Sequence, residues 1–176
     1  MHSRKRKVLD QLLNCWWALV GFAPVYYHWH FSGLDGWFYL FLAISLLAAL
    51  LPEKAYTYMA YSRRCSAYET LGVKTIRKFA QNGDFTAGIA GGRADDQRTV
   101  RSVGTARQYL RTVAMYERFH WTCFVFFLLS TVHAYTSGKY WTGTFIIVAN
   151  VVFNVSTLLL QQYNKLRIHR LIVSRS

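Results

Sequence analysis

The sequence predicts an all-α, polytopic integral membrane protein with four transmembrane helices and a basic cytoplasmic helical segment between the second and third. Three observations predict it. Four charge-poor apolar stretches run through a chain of 176 residues that is 53% hydrophobic. Their lengths are near the ~20 residues that a helix rising ~1.5 Å per residue needs to cross a bilayer core. The 21 Lys and Arg, set against 8 Asp and Glu, are concentrated between those stretches. A net charge of +13 from only 16% charged residues excludes an ordinary soluble basic domain, in which about a quarter of residues are charged.

The first span is expected over residues 11–31, which carry no formal charge. Arg4, Lys5, Arg6 and Lys7 precede it as they would a signal peptide. No small-x-small cleavage site follows, so the stretch reads as an uncleaved anchor. The second span covers 34–51, with Asp35 near its start and Leu47-Ala48-Ala49-Leu50-Leu51 at its close. Pro52 stops it, since proline has no N–H for the helix ladder. The third, 119–136, is built around Cys123-Phe124-Val125-Phe126-Phe127-Leu128-Leu129, and the fourth, 141–160, around Phe145-Ile146-Ile147-Val148. Trp and Tyr stand at many of the ends, where membrane interfaces concentrate them. The whole chain, 1–176, reads as one membrane domain.

Cation placement sets the orientation. Four Lys and Arg precede the first span, none separates the first two, twelve lie in 52–118, Lys139 alone joins the last two, and four lie in the tail. Alternating spans therefore put 20 of the 21 on one side, the cytoplasmic one, with both termini. Cys15, Cys65 and Cys123 are too scattered for zinc or thioredoxin-like spacing, and a disulfide framework is not expected.

The segment 52–118 interleaves cations with Tyr56, Tyr58, Tyr61, Tyr68, Phe79, Phe85, Tyr109 and Tyr116. A helix is expected over 53–71, capped by Gly72 in the left-handed conformation. A short amphipathic helix follows over 73–80, with Val73, Ile76, Phe79 and Ala80 on one face. Asn82-Gly83-Asp84 signals a turn, residues 88–96 a loop, and 98–118 a helix leading into the third span. Such a segment fits along an anionic inner leaflet, each cation contributing ~1 kcal/mol. No nucleic-acid-binding fingerprint accompanies the charge, and no nucleic-acid partner is expected. The glycines at 88, 91 and 92 lack the Gly-Lys-Ser/Thr of a phosphate loop. Membrane lipids are the expected partners.

Candidate chemistry gathers at the cytoplasmic mouth of the last two spans. Glu117 and His120, three residues apart, share a helix face. A carboxylate beside an imidazole raises its basicity and orients it, as a general base needs; an interfacial ion pair anchoring the helix has the same spacing. Asn150 and Asn154, four apart, share a face of the fourth span, where amides either bond neighbouring helices or line a cavity. Antiparallel spans bring His120 to the depth of the 154–161 end. On the opposite side lie His28, His30 and His133. Because His28 and His30 are two apart, one helix cannot aim both at a single metal; headgroup-level histidines are the alternative to a haem or chlorin ligand. No metal or cofactor site is expected.

The run Asn154-Val155-Ser156-Thr157-Leu158-Leu159-Leu160-Gln161-Gln162-Tyr163-Asn164-Lys165-Leu166-Arg167, together with Glu117-Arg118-Phe119-His120-Trp121 and Tyr68-Glu69-Thr70-Leu71-Gly72, resembles the glycosyl-4,4'-diaponeurosporenoate acyltransferase-like family. These are small membrane proteins of carotenoid pathways. The likeness covers roughly residues 50–170 and rests on an Asn-x6-Gln-x-Tyr-Asn-x-x-Arg ending and a Glu-x-x-His-Trp element. It implies a location in a bacterial inner membrane and transfer of a fatty acyl group, with acyl-CoA as co-substrate, onto a sugar hydroxyl of a glycosylated carotenoid or glycolipid. On that view His120 deprotonates the hydroxyl and Glu117 orients it. Asn150, Asn154, Gln161, Tyr163 and Asn164 contact the substrate, and Arg167 meets a donor phosphate. The chain departs from the family at Asn82-Gly83-Asp84, where members tend to have Asp-Gly-His. That departure implies an alternative: a non-catalytic accessory subunit of a larger membrane complex, pigment-protein or photosynthetic, packing carotenoid, other pigment or lipid.

Overall fold

A computed structural model of the chain describes residues 2–79 and 103–173. All regular structure among them is helical: α1 (His2–Ser32), α2 (Gly36–Ala49), α3 (Glu53–Tyr58), α4 (Cys65–Thr70), α5 (Val73–Phe79), α6 (Val103–Thr136), α7 (Tyr140–Ala149), a π-helical turn (Asn150–Val155) and α8 (Ser156–Val173). The turn at 82–84, the loop at 88–96 and the first residues of the helix expected from 98 lie outside the described residues.

The chain divides into two compact units. One comprises Ala18–Ala60 and Met115–Leu158; the other comprises Met1–Trp17, Tyr61–Ala114 and Leu159–Ser176. We call the first the amide unit and the second the tyrosine unit, after the polar groups each buries.

In the amide unit an aromatic-aliphatic core of Val25, Trp29, Phe41, Phe127, Ala134, Ile146 and Ala149 joins α1, α2, α6 and α7. The Trp29 indole N–H donates to Ser130 Oγ at 2.9 Å, satisfying the one polar group of a buried ring. Asp35 sits at the N-cap of α2 and accepts from the backbone N–H groups of Trp37 and Phe38 at 3.0 and 3.2 Å. The lone acid of the expected second span thus serves donors that the helix itself leaves open. Gly21 lets α1 approach the π-turn: a Cβ there would lie 2.9 Å from the Phe153 ring.

Beside its apolar core this unit buries several polar side chains and exposes large apolar ones. Ser45 and Ser130 are fully buried and Thr131 nearly so, while Leu47 and Phe145 are each 61% exposed and Val148 is 53% exposed. Ser45 Oγ and Thr131 Oγ1 donate to the carbonyls four residues back, Phe41 O and Phe127 O, at 2.6 and 2.8 Å. The continuous helix Tyr140–Val173 is, among the described residues, the one long and apolar enough to cross a membrane by length and composition. The expected fourth span lies within it and the expected third lies within α6. At 14 residues α2 is apolar but only about 21 Å long, against ~30 Å of hydrocarbon. Trp, Tyr and His dilute the apolar character of α1 and α6, and both helices also carry cations.

In the tyrosine unit Cys65, Tyr68, Val73, Leu160 and Tyr163 form a buried cluster, with Ile76, Leu159 and Leu166 packed against it. Val73 and Ile76 occupy the inward face that their spacing predicts; the side chains of Phe79 and Ala80 lie outside the described residues. Gly72 has φ 77°, the left-handed value expected of it. The single helix expected over 53–71 is instead two, α3 and α4, separated by residues 59–64. The reason is where the backbone donors go. Tyr61 N–H is taken by Gln162 Oε1 at 3.1 Å, Ser62 N–H by Tyr68 Oη at 3.0 Å, and Arg64 N–H by Ser62 Oγ at 3.1 Å. Side chains distant in sequence or local to the turn outcompete the helix ladder there.

Candidate functional site

The amide unit carries the arrangement with the most chemical content. His120, on α6, is partly buried, and its Nδ1 lies 3.2 Å from Asn154 Oδ1. Asn154 Nδ2 donates to Asn150 Oδ1 at 2.9 Å, and Asn150 Nδ2 donates to the backbone carbonyl of Phe124 at 3.1 Å. Both amides are buried, while His120 is partly exposed. The π-turn that carries them is wider than an α-helical turn and recurs at functional sites in helices. Amides buried this deeply are costly unless paired, and here each is engaged through both its oxygen and its nitrogen.

Two expectations change in consequence. Glu117 is one turn before His120 on α6 and fully buried. The hydrogen bond of the imidazole at Nδ1 goes to Asn154, so a buried amide takes part in orienting the ring. Asn150 and Asn154, expected to contact substrate, are committed to one another, to His120 and to α6. Beside His120, the Trp121 indole N–H is buried and has no hydrogen-bond partner among the described residues. Trp121 packs edge-on against Phe124 at 5.4 Å.

At the other end of the unit His28 Nε2 lies 3.0 Å from His133 Nδ1, and His133 stacks on Trp29 at 4.9 Å between ring centres. His30 instead stacks on Tyr26, so α1 does aim its two histidines apart. Tyr56, in α3, donates to the Ala48 carbonyl and lies under the Arg118 guanidinium at 5.7 Å. Burial raises its phenol pKa above the usual value, and Arg118 partly opposes the shift.

The remaining expected residues lie in the tyrosine unit. Tyr163 donates to Glu69 Oε1 at 2.9 Å, and Lys74 Nζ donates to Glu69 Oε2 at 2.8 Å. The Lys74 hydrogen bond, then that of Tyr163, holds the Glu69 carboxyl below its ordinary value, and the same pairing raises Lys74. Burial, then the bond to Glu69, raises Tyr163. Arg167 is exposed and lies 5.5 Å above the Tyr163 ring. Gln161 and Asn164 are half-buried, without side-chain hydrogen bonds among the described residues. The residue that sequence reasoning passed over is Gln162: it is buried, and its Oε1 receives both Tyr61 N–H and, at 3.1 Å, the Tyr68 hydroxyl. Its signal was its place four residues after the buried Leu158, on the inward stripe of α8.

The family model described as glycosyl-4,4'-diaponeurosporenoate acyltransferase matches residues 52–174, which include every expected site residue from Glu117 to Arg167. No curated protein and no solved structure matches the chain.

Proposed function

Because the chain belongs to the glycosyl-4,4'-diaponeurosporenoate acyltransferase family, we propose that it is a membrane acyltransferase acting at the cytoplasmic leaflet. Its acceptor is a sugar hydroxyl on a glycosylated carotenoid or a glycolipid, and its donor is an acyl-CoA. The observation that carries the reading is the partly exposed imidazole of His120, held at one nitrogen by a buried amide. A ring fixed at Nδ1 offers its other nitrogen to a hydroxyl proton, the requirement for a general base.

In the reaction, His120 takes the proton of the sugar hydroxyl while its oxygen attacks the thioester carbonyl carbon. The tetrahedral intermediate collapses, the C–S bond breaks, and the CoA thiolate leaves and recovers the proton from the imidazolium. The Trp121 indole N–H is a donor available to the carbonyl oxygen as negative charge grows on it.

Four spans with both termini cytoplasmic, in a bacterial inner membrane, complete the proposal. Its support is the exposure pattern of the amide unit, with buried Ser45, Ser130, Asn150 and Asn154 against exposed Leu47, Phe145 and Val148. Hydrocarbon is the solvent in which that arrangement costs least. Purified protein incubated with labelled acyl-CoA and a glycosylated carotenoid or glycolipid should yield labelled acceptor. Transfer unaffected by His120→Ala would overturn the mechanism.

The departure at Asn82-Gly83-Asp84 favours a second reading, a non-catalytic relative that packs pigment or lipid within a larger membrane complex. Absence of transfer together with stoichiometric copurification of pigment or partner subunits would establish it.

A further inference from the structure

The chain of hydrogen bonds behind His120 has a direction, and the direction follows from chemistry at its far end. The Phe124 carbonyl can only accept, so the group of Asn150 that meets it at 3.1 Å must be Nδ2. Asn150 therefore turns Oδ1 toward Asn154, and an oxygen there demands a donor. That fixes Asn154 Nδ2 at 2.9 Å. The Asn154 oxygen is left facing His120 Nδ1 at 3.2 Å, and an amide oxygen accepts only from a protonated nitrogen. Flipping Asn150 would place like groups together twice, and flipping Asn154 would set its oxygen against Asn150 Oδ1, in a buried site where each unmade bond costs ~1–3 kcal/mol.

We propose that Asn150, anchored to the Phe124 carbonyl, acts through Asn154 as a positioning residue that holds His120 with its proton on Nδ1 and its lone pair on Nε2. The π-turn is the device that makes this work: it carries both amides inward within one wide turn, at the level where α6 presents the carbonyl of Phe124 and the ring of His120. A neutral amide does for this imidazole what a carboxylate does in hydrolase triads, fixing the tautomer, but without a negative charge that would have to be buried. The hydrogen bonds of Asn150 go to the Phe124 carbonyl and Asn154, and its effect reaches the ring through Asn154. The inference rests on the general-base reading for its catalytic meaning, but the tautomer itself does not.

The test is ring-15N NMR of the full chain labelled at histidine, with the His120 signals identified by their loss in His120→Gln. The wild-type spectrum should show a protonated Nδ1 and an unprotonated Nε2. Asn150→Leu frees the Asn154 amide to rotate and should shift His120 toward a mixture with the Nε2-protonated tautomer. Asn154→Asp, which keeps an acceptor on Nδ1, should retain the wild-type tautomer. A wild-type His120 protonated at Nε2, or a pattern indifferent to Asn150→Leu in folded protein, would overturn the inference. The wild-type spectrum alone decides the matter if a variant fails to fold. Transfer assays on the same samples separate the two readings: the tautomer can be as described in a protein that transfers nothing. If transfer occurs, Asn150→Leu should lower it at least tenfold and Asn154→Asp should move its pH profile.

Discussion

The amide unit and the tyrosine unit both bury polar side chains, but the two networks end on different things. In the tyrosine unit, Gln162 and Tyr68 terminate on the backbone of residues 61 and 62, and Tyr163 terminates on Glu69, itself held by Lys74. Among the described residues these bonds close on main-chain groups or an ion pair, and they hold the chain in a non-helical path. In the amide unit the network starts on a main-chain carbonyl and ends on an imidazole with one nitrogen to spare. The difference teaches how to read buried polarity: a network closed at both ends is a fastening, and a network open at a titratable ring is a candidate tool.

The comparison breaks at a definite place if Asn154→Leu leaves transfer intact. We expect the largest functional effect in the ranking here, a loss of roughly 100-fold, at the lower end of what a general base contributes, with the folded state retained in a transfer assay normalised to folded protein. Next in size is Tyr68→Phe, which strips a partner from Ser62 N–H and from Gln162. It should cost ~1–3 kcal/mol, read as a lower Tm in detergent, with transfer per folded molecule unchanged. Gly21→Ala puts a methyl 2.9 Å from the Phe153 ring within the π-turn. Its destabilisation should be about 1 kcal/mol, at the low end for overpacking because a ring can tilt; a fall in transfer at constant Tm would show that the π-turn had shifted.

The smallest effect is a matter of pH. Glu69 lies below its ordinary value of 4.5 in the folded state, so its stabilisation is whole at neutral pH and is lost as pH falls from about that value through the depressed one. Lys74, raised above 10.5, behaves oppositely, and its contribution is lost as pH rises through the elevated value. Glu69→Gln should therefore flatten both limbs of a Tm-against-pH curve while leaving transfer unchanged. An unaltered acid limb would mean that Glu69 is not the group that ties α4 to α8.

Much of this was legible in the sequence. Apolar run lengths placed the end of α6 at 136 and the start of α7 near 141, Gly72 announced its cap, and the periodicity of Val73 and Ile76 gave the inward face of α5. The spacing of Asn150 and Asn154 put two amides on one face, and antiparallel spans brought that face to His120. Three features were not legible. Residues 59–64 are non-helical because Gln162, some hundred residues away, takes the Tyr61 donor, and local propensity carries no trace of that. The π-turn depends on one residue more per turn in an unremarkable Asn-Val-Val-Phe-Asn-Val run. The hydrogen bond of His120 to Asn154 spans 34 residues, whereas the spacing that singled out Glu117 is local.

The central claim is that the chemistry resides in the amide unit and the tyrosine unit fastens the fold. It is tested most directly by one side-by-side measurement: labelled acyl transfer from acyl-CoA to a glycosylated acceptor by wild type, His120→Ala and Tyr163→Phe in the same membranes, normalised to folded protein. The account predicts transfer by wild type, loss of at least 100-fold in His120→Ala, and a rate close to wild type in Tyr163→Phe. Equal transfer by wild type and His120→Ala, or selective loss in Tyr163→Phe, would contradict it.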